Sequence, residues 1–415
     1  MRVLFLLPHY YPDKGPSAEL FKLLCEELVK KECGVNVLCG VPHYPTGRVP
    51  KHYKGLYIRK EVINGVRIIR LPLPSINRNI LWKRLIQSII FQIEALICGL
   101  FIKYDIIISV TAAIQVFIPY LILGPVRKKK CVYSVHDLYP DILIKLGIIK
   151  NRFIINLISS LERICLKNST KIRILSYSFL RWVEKYGIKK NQIRLIYDWV
   201  DINFIHPLPR ENPFSIEYGL LNKFCVIYSG NIGYSQGLDV VLEAADRLKR
   251  MKDIMFIIIG DGVSKKMLEE IARQKKLENV LFLPFQQKHR YPEVLSSADI
   301  LLVTLKKGLS RDSLPSKIFS YLSSGRPIIA CVDKDSDVFN LINKSGGGIC
   351  VSPENVDELV KAIIKLKGDE DLRDHLSKKG REYCANFHSS KYAAEEFIKL
   401  FNIIYFEDGK YYKSV

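Results

Sequence analysis

"VIYSGNIGYSQGLDVVLEAADRL", residues Val226–Leu248, begins as an unbroken apolar run, turns on glycines and continues with apolar residues at helical spacing. The run predicts a buried strand ending at Ser229. Gly230 and Gly233 supply the turn, and a helix starts near Gly237–Leu238. A strand feeding a helix through a glycine turn is half of a βαβ unit. It presents backbone N–H groups where an anion binds.

Working outward, the same rhythm fills the chain. Apolar runs predict strands at Val3–Leu7, Val35–Cys39, Val66–Leu71, Asp105–Val110, Cys131–Val135, Ile172–Ser176 and Ile193–Tyr197. A second series follows at Phe224–Ser229, Met255–Ile259, Val280–Pro284, Ile300–Leu305, Pro327–Val332 and Gly348–Val351. Strands this continuously apolar are covered on both faces, and helix-length stretches separate them, so the fold class is α/β with parallel sheets. Only Val66–Leu71, after "INGVR", reads as part of a hairpin. A chain of 415 residues suits two domains. The best linker is "DWVDINFIHPLPRENPFSIEYGL", with three prolines and no periodicity. The expected domains are 1–203 and 204–388, with a C-terminal helix, 389–406, packing back on the first. Ligands of two such sheets are expected in a cleft at the carboxyl ends of the strands.

Composition narrows the function. Residues 1–200 hold 32 Lys+Arg against 13 Asp+Glu, a balance of +19 out of a total of +21. The first domain therefore expects an anionic partner, either acidic lipid or a diphosphate-bearing acceptor. Nucleic acid is not expected, because the basic residues show no aromatic interleaving or recognised module. The ten cysteines are scattered singly without a Cys-x-x-Cys pair, which reads as reduced buried thiols and not as a metal site. The first residues read as a buried strand and not as a signal peptide. Leu85–Ile102, "LIQSIIFQIEALICGLFI", is amphipathic: Leu85, Ile86, Ile89, Ile90, Ile93, Leu96, Ile97, Leu100 and Phe101 share one face. Packing of that face on the domain core is expected. A place on an anionic bilayer, with Arg78, Lys83, Arg84 and Lys103 as flanking cations, is the alternative.

Two further strand–helix junctions follow. "FIIIGDGVSKKMLEEIA" ends a strand in Gly260-Asp261-Gly262, and "RDSLPSKIFSYLSSGRPIIA", Arg311–Ala330, starts a helix amid Ser313, Pro315, Ser316 and Lys317. Pro315 is expected in the first helical turn and Gly325 at the left-handed C′ position. The order Ser229-Gly230-Asn231-Ile232-Gly233, Gly260-Asp261-Gly262, Ala298-Asp299, Pro315-Ser316-Lys317 and Gly325-Arg326-Pro327 resembles glycosyltransferase family 4. "PHYYPDKGPSAELFKLLCEEL", "GVPHYPTG", "INGVRIIRLP" and "VYSVHDLYPD" look like its WbuB-like branch, which assembles surface polysaccharides. The resemblance implies the GT-B architecture: two Rossmann-like domains with parallel sheets facing a central cleft. It also implies retaining transfer from a nucleotide-diphosphate sugar, with no metal or other cofactor.

Family members carry a Glu-x7-Glu pair before and within the last helix, and here the positions fall on Asp312 and Ser320. The Arg and Lys that grip the diphosphate correspond to Asn231 and Gln236, which leaves Lys317 as the cation for the leaving group. The resemblance thus implies Ser229, Gly230, Asn231, Gly233, Gln236, Gly260, Asp261, Gly262, Pro315, Ser316 and Ser320 as donor-binding, with Asp312 orienting the donor sugar. Phe285 lies where base choice is made, and Gly15 in "DKGPS" is placed over the donor phosphates. His136 and Asp137, at the carboxyl end of a first-domain strand, are candidates for contact with the donor sugar or acceptor. The expected acceptor is polyprenyl-diphosphate-linked or a polysaccharide, in capsule, O-antigen or exopolysaccharide assembly. The expected location is cytoplasmic, peripheral on the inner face of the membrane. A non-catalytic partner subunit of the same fold is the alternative.

Overall fold

The structure, a computed structural model, describes residues 1–406 apart from Pro16, Leu56, Arg78, Asn79, Leu146, Ile148 and Ser313. The expected roles of Ser313 and Arg78 therefore lie outside the described residues. The chain divides into one compact unit of Met1–Tyr197 with the segment from Ser390, and another of Asp198–Ser389.

The boundary expected at 203/204 moves to 197/198. Residues 198–203 are tied to the second unit: Val200 donates to the His388 carbonyl at 2.9 Å and bridges to Ser389, and Arg381 donates to the Ile202 carbonyl at 3.0 Å. The helix Ser390–Phe406 packs on the helix Ala18–Lys30 of the first unit. It buries Ala393, Ala394, Phe397, Leu400, Phe401 and Ile404, and Lys31 pairs with Glu395 at 3.0 Å.

The first unit holds β1 (Arg2–Leu6), β2 (Gly34–Gly40), β3 (Arg59–Ile63), β4 (Val66–Leu71), β5 (Ile106–Val110), β6 (Lys130–Val135), β7 (Lys171–Ile174) and β8 (Ile193–Leu195). Their order is β3-β4-β2-β1-β5-β6-β7-β8. All neighbours are parallel except β3 and β4, which form a hairpin on Asn64-Gly65, both at positive φ. β3 escapes an apolar-run search because it is a half-exposed edge strand. The second unit holds β9 (Phe224–Ser229), β10 (Ile254–Ile259), β11 (Val280–Leu283), β12 (Ile300–Thr304), β13 (Ile328–Cys331) and β14 (Gly348–Val351). They run parallel in the order β11-β10-β9-β12-β13-β14. In each sheet the connectivity reverses beside the first strand, between β1 and β5 and between β9 and β12, and the carboxyl edge at such a reversal is where ligands bind.

Two local expectations fail. The helix of "SLPSKIFSYLSSG" spans only Lys317–Ser323, with Ser316 as N-cap, so Pro315 lies outside the first turn. Gly325 does take the left-handed position, at φ +65°. More consequentially, the helix Leu81–Leu100 turns its apolar face away from the core. Gln87, Phe91, Gln92 and Ala95 are buried, whereas Ile86, Ile89, Ile93 and Ile97 are exposed. Hydrogen bonds set this orientation: Gln87 donates to the Pro74 carbonyl at 2.9 Å, and Gln92 donates to the Ile114 carbonyl at 3.1 Å while accepting from the Ile118 N–H at 3.0 Å. Rotating the helix to bury the isoleucines would strip both amides of these partners.

Candidate active site

In the second unit the site is made of main chain. Gly230 and Gly260 end adjacent strands at φ +147° and +146° and let the pairing continue beyond them. Gly230 donates to the Ile259 carbonyl at 2.9 Å and Ile232 to the Asp261 carbonyl at 2.8 Å. A Cβ on Gly260 would run into the Gly230 carbonyl oxygen, and one on Gly262 into that of Ile232. Glycine is required at both positions because two backbones meet there. Ser229 is clamped from below: its N–H donates to the Tyr321 hydroxyl and its carbonyl accepts from it, both at 2.9 Å.

Lys317 reaches this turn from the helix Lys317–Ser323. A Cβ on Gly230 would lie 2.9 Å from its Nζ, so the ammonium occupies the space that the glycine leaves open. Nζ also sits 3.7 Å from the centroid of the Tyr228 ring. It is buried and has no hydrogen-bond partner among the described residues. Burial pushes its pKa down to about 7. An ammonium withdrawn from water with no counter-ion among the described residues marks a place for an anion, since such a charge is otherwise expensive to hold.

The other expected donor groups sort themselves around this pair. The N–H groups of Asn231 and Gly233 have no partner among the described residues, whereas those of Gly230 and Ile232 are spent on the neighbouring loop. Asp261 turns back on its own loop, accepting from the Gly262 N–H at 2.8 Å. Phe285 is exposed and its ring packs near Gly260. Gln236 accepts from the Tyr228 hydroxyl at 3.1 Å, and Ser320 bonds to the buried Tyr291 hydroxyl, so both side chains already have protein partners. Asp312 ends the 3₁₀ turn Ser310–Asp312 after β12, and its side chain lies outside the described residues. Pro315 and Ser316 lead into the helix. Asp299 and Arg326 prove structural: Asp299 pairs with Arg210 at 2.9 Å and accepts from the Cys225 N–H at 2.7 Å, and Arg326 donates to the Ser296 carbonyl at 2.7 Å.

In the first unit the carboxyl edge is furnished with side chains. His136 follows β6, and its Nε2 lies 3.1 Å from the buried Arg173 guanidinium, which fixes Nε2 as the acceptor. The Thr111 hydroxyl accepts from the N–H groups of His136 and Asp137 at 3.0 and 3.1 Å. Below them Glu162 is fully buried, accepting from the Ala113 N–H at 2.7 Å and the Tyr133 hydroxyl at 2.8 Å. Burial pushes its carboxyl up to about 7.

A second histidine at this edge escaped the sequence reading. His9, just past β1, holds its Nδ1 2.6 Å from the buried Asp13 carboxylate. The other Asp13 oxygen accepts from the N–H groups of Lys14, His43 and Tyr44 at 2.9, 3.3 and 2.8 Å. Burial raises the Asp13 carboxyl, and the bonds from His9 and the Tyr44 N–H outweigh it, holding the carboxyl below its ordinary range. His43 spends its Nδ1 on the Val41 carbonyl at 2.8 Å. His9, Asp13 and His43 are close enough to share a cation. Their hydrogen bonds instead describe an Asp–His pair that leaves His9 Nε2 as the acceptor. Gly15 is explained here: any Cβ would strike the His9 ring. The signal was present as two Pro-His-Tyr turns, Pro8-His9-Tyr10 and Pro42-His43-Tyr44, each following a strand.

Sheets of this order with an anion-ready glycine turn define a Rossmann-like pair. Residues 19–204 match the family described as Glycosyltransferase Family 4, and residues 216–383 match Glycosyl transferases group 1. With most of both units matched, the chain belongs to the family-4 glycosyltransferases. Among its relatives is WcaI of Escherichia coli K12, a glycosyl transferase named for colanic acid biosynthesis, 27% identical over 373 residues, which are 88% of this chain and 91% of WcaI. The fold is GT-B. It is similar to sucrose-phosphate synthase of Thermosynechococcus elongatus, with a TM-score of 0.71 at 15% identity, covering 98% of this chain and 100% of that one. It is likewise similar to HepE of Anabaena in complex with UDP, with a TM-score of 0.70 at 15% identity and coverage of 97% and 99%.

Proposed function

We propose that this glycosyltransferase moves a sugar, with retention at the anomeric carbon and without a metal ion, from a nucleotide-diphosphate donor to a lipid-linked or polysaccharide acceptor in envelope polysaccharide assembly. The buried Lys317 Nζ beside Gly230, without a partner among the described residues, carries the reading. Breaking the glycosyl–phosphate bond leaves its electron pair on the departing diphosphate. Lys317 and the N–H groups of Asn231 and Gly233 are donors fixed in advance for that charge. The diphosphate accepts the proton of the acceptor hydroxyl, so no second carboxylate is required, in keeping with Ser320 at the second acidic position of the family.

On the acceptor side, His9 Nε2 is the group that receives a hydrogen bond from a sugar or lipid-borne hydroxyl, with Asp13 holding the ring's tautomer. His136 and Asp137 serve the same edge. The name of WcaI supports the polysaccharide setting, and the UDP complex of HepE supports a nucleotide ligand for the fold.

Purified protein should release nucleoside diphosphate from one member of a panel of nucleotide-sugars in the presence of a chelator. Lys317→Ala should lower that release by roughly 10²–10³-fold. Normal turnover in the variant would remove the assignment. Absence of calorimetric binding of uridine and guanosine diphosphates at millimolar concentration would favour a non-catalytic subunit, a reading that the internally bonded Gln236 and Ser320 invite.

A further inference from the structure

The helix Leu81–Leu100 presents an apolar stripe that nothing in its own unit covers. Leu85, Ile86, Ile89, Ile93, Ile97 and Leu100 are between 45% and 53% exposed, and Phe101, just beyond the helix, is 83% exposed. At helical rise the 20 residues extend about 30 Å. A stripe of this size on a protein surface marks a contact. The polar residues that would normally face water are pinned inward, as Gln87 and Gln92 show.

Charge states what the contact is made with. Trp82, 60% exposed, stands at one end of the stripe with Lys83 over its ring at 5.5 Å and the exposed Arg84 next to it. At the other end Arg127 donates to the Leu100 carbonyl at 3.2 Å, and Lys103, Lys128 and the exposed Val126 lie nearby in sequence. Glu94 is the sole acid of the helix and is turned off the stripe. With Ile90 it lines a cavity of about 350 Å³ against Pro72–Ser75 and Lys54, where its Oε2 is buried without a partner among the described residues. Burial pushes its carboxyl up to about 7, so the one acid of the helix is only partly ionised at neutral pH. Among the described residues no helix is long and apolar enough to cross a membrane. An apolar stripe with an aromatic residue and cations at its ends is the pattern of a helix lying in the plane of an anionic bilayer.

We infer that the outward face of Leu81–Leu100 inserts into the headgroup boundary of an anionic bilayer and is the membrane-docking surface of the first unit. The inference gives the lipid-linked acceptor reading its surface, and it is tested without reference to catalysis.

The full chain is mixed with vesicles of neutral phosphatidylcholine alone, or with a third of phosphatidylglycerol added, and separated by flotation. Binding to the anionic vesicles should exceed binding to neutral ones and weaken from 50 to 500 mM salt. Ile89→Ser/Ile93→Ser/Ile97→Ser should lower binding on the order of tenfold or more, with an unchanged circular dichroism spectrum and unchanged diphosphate release. Lys83→Ala/Arg84→Ala should lower binding to the anionic vesicles only, which covers the case in which the triple variant misfolds. Failure of the wild type to float with anionic vesicles overturns the inference while leaving sugar transfer intact. So does sedimentation as a dimer that the serine variant converts to monomer with flotation unchanged, because the stripe would then be covered by a second copy.

Discussion

The two units share one strand order around the crossover yet furnish their carboxyl edges with different material. In the second unit the edge is backbone: Gly230 and Gly260 let two loops touch, and one buried lysine supplies the charge. In the first unit it is side chain: His9 on Asp13, His136 on Arg173, and the turn at Ala113 on Glu162. A parallel sheet determines where a ligand lies, but not which part of the chain holds it. Main-chain donors suit a diphosphate, whose geometry is the same in every donor. Histidines held by buried partners suit hydroxyls, whose placement differs from one acceptor to the next.

The comparison breaks most visibly if the units do not divide the labour. Lys317→Ala should lower diphosphate affinity as well as turnover. His9→Ala should leave that affinity within about twofold and lower transfer to acceptor by roughly 10–10²-fold. Equal loss of nucleotide binding in both variants would refute the division.

Gly260→Ala tests whether the second edge is truly backbone. The added Cβ meets the Gly230 carbonyl oxygen, which cannot move aside cheaply, so the second unit should lose about 2–4 kcal/mol in urea unfolding while the first is unaffected. A loss below about 0.5 kcal/mol would show that the loops are not held together as described.

Glu162 sharpens the side-chain half. Its folded pKa, about 7, lies above the ordinary 4.5, so the folded first unit holds the proton more tightly than the unfolded chain does. Its contribution is complete below pH 4.5 and is lost as pH rises through 7, by roughly 1–3 kcal/mol. Glu162→Gln should flatten that slope. An unchanged slope in the variant would assign the pH dependence to other groups.

The smallest effect is the pH dependence of nucleotide affinity. Free Lys317 titrates near 7 and, paired with a diphosphate, returns toward 10.5. Binding therefore takes up a proton above pH 7, and affinity should fall by at most about tenfold per pH unit from there. Calorimetry in buffers of different ionisation enthalpy reads the proton directly. No uptake at pH 8 would place the lysine away from the ligand.

Strands and glycine turns were legible because their signals are local. Continuous apolar runs report burial on both faces, and Gly230, Gly260 and Gly325 lie at positive φ where the turns call for it. The edge strand Arg59–Ile63 was not legible, being half exposed and polar at alternate positions. The local sequence "PHYYPD" does not reveal the role of His9, because its partnership with Asp13 is completed by N–H groups from a turn about thirty residues away.

The amino-acid sequence alone determined the two-unit α/β plan and the glycine turns, since each follows from spacing within a few residues, whereas Lys317 was named through the family resemblance and meets Gly230 only in the folded chain. Only the tertiary structure decided which way the amphipathic helix faces and which polar groups remain without partners. Periodicity defines a stripe on Leu81–Leu100 but not its direction, which depends on where Gln87 and Gln92 find the Pro74 and Ile114 carbonyls. The exposure of that stripe and the isolation of the Lys317 ammonium are both outcomes of hydrogen bonds made, or left unmade, between distant parts of the chain.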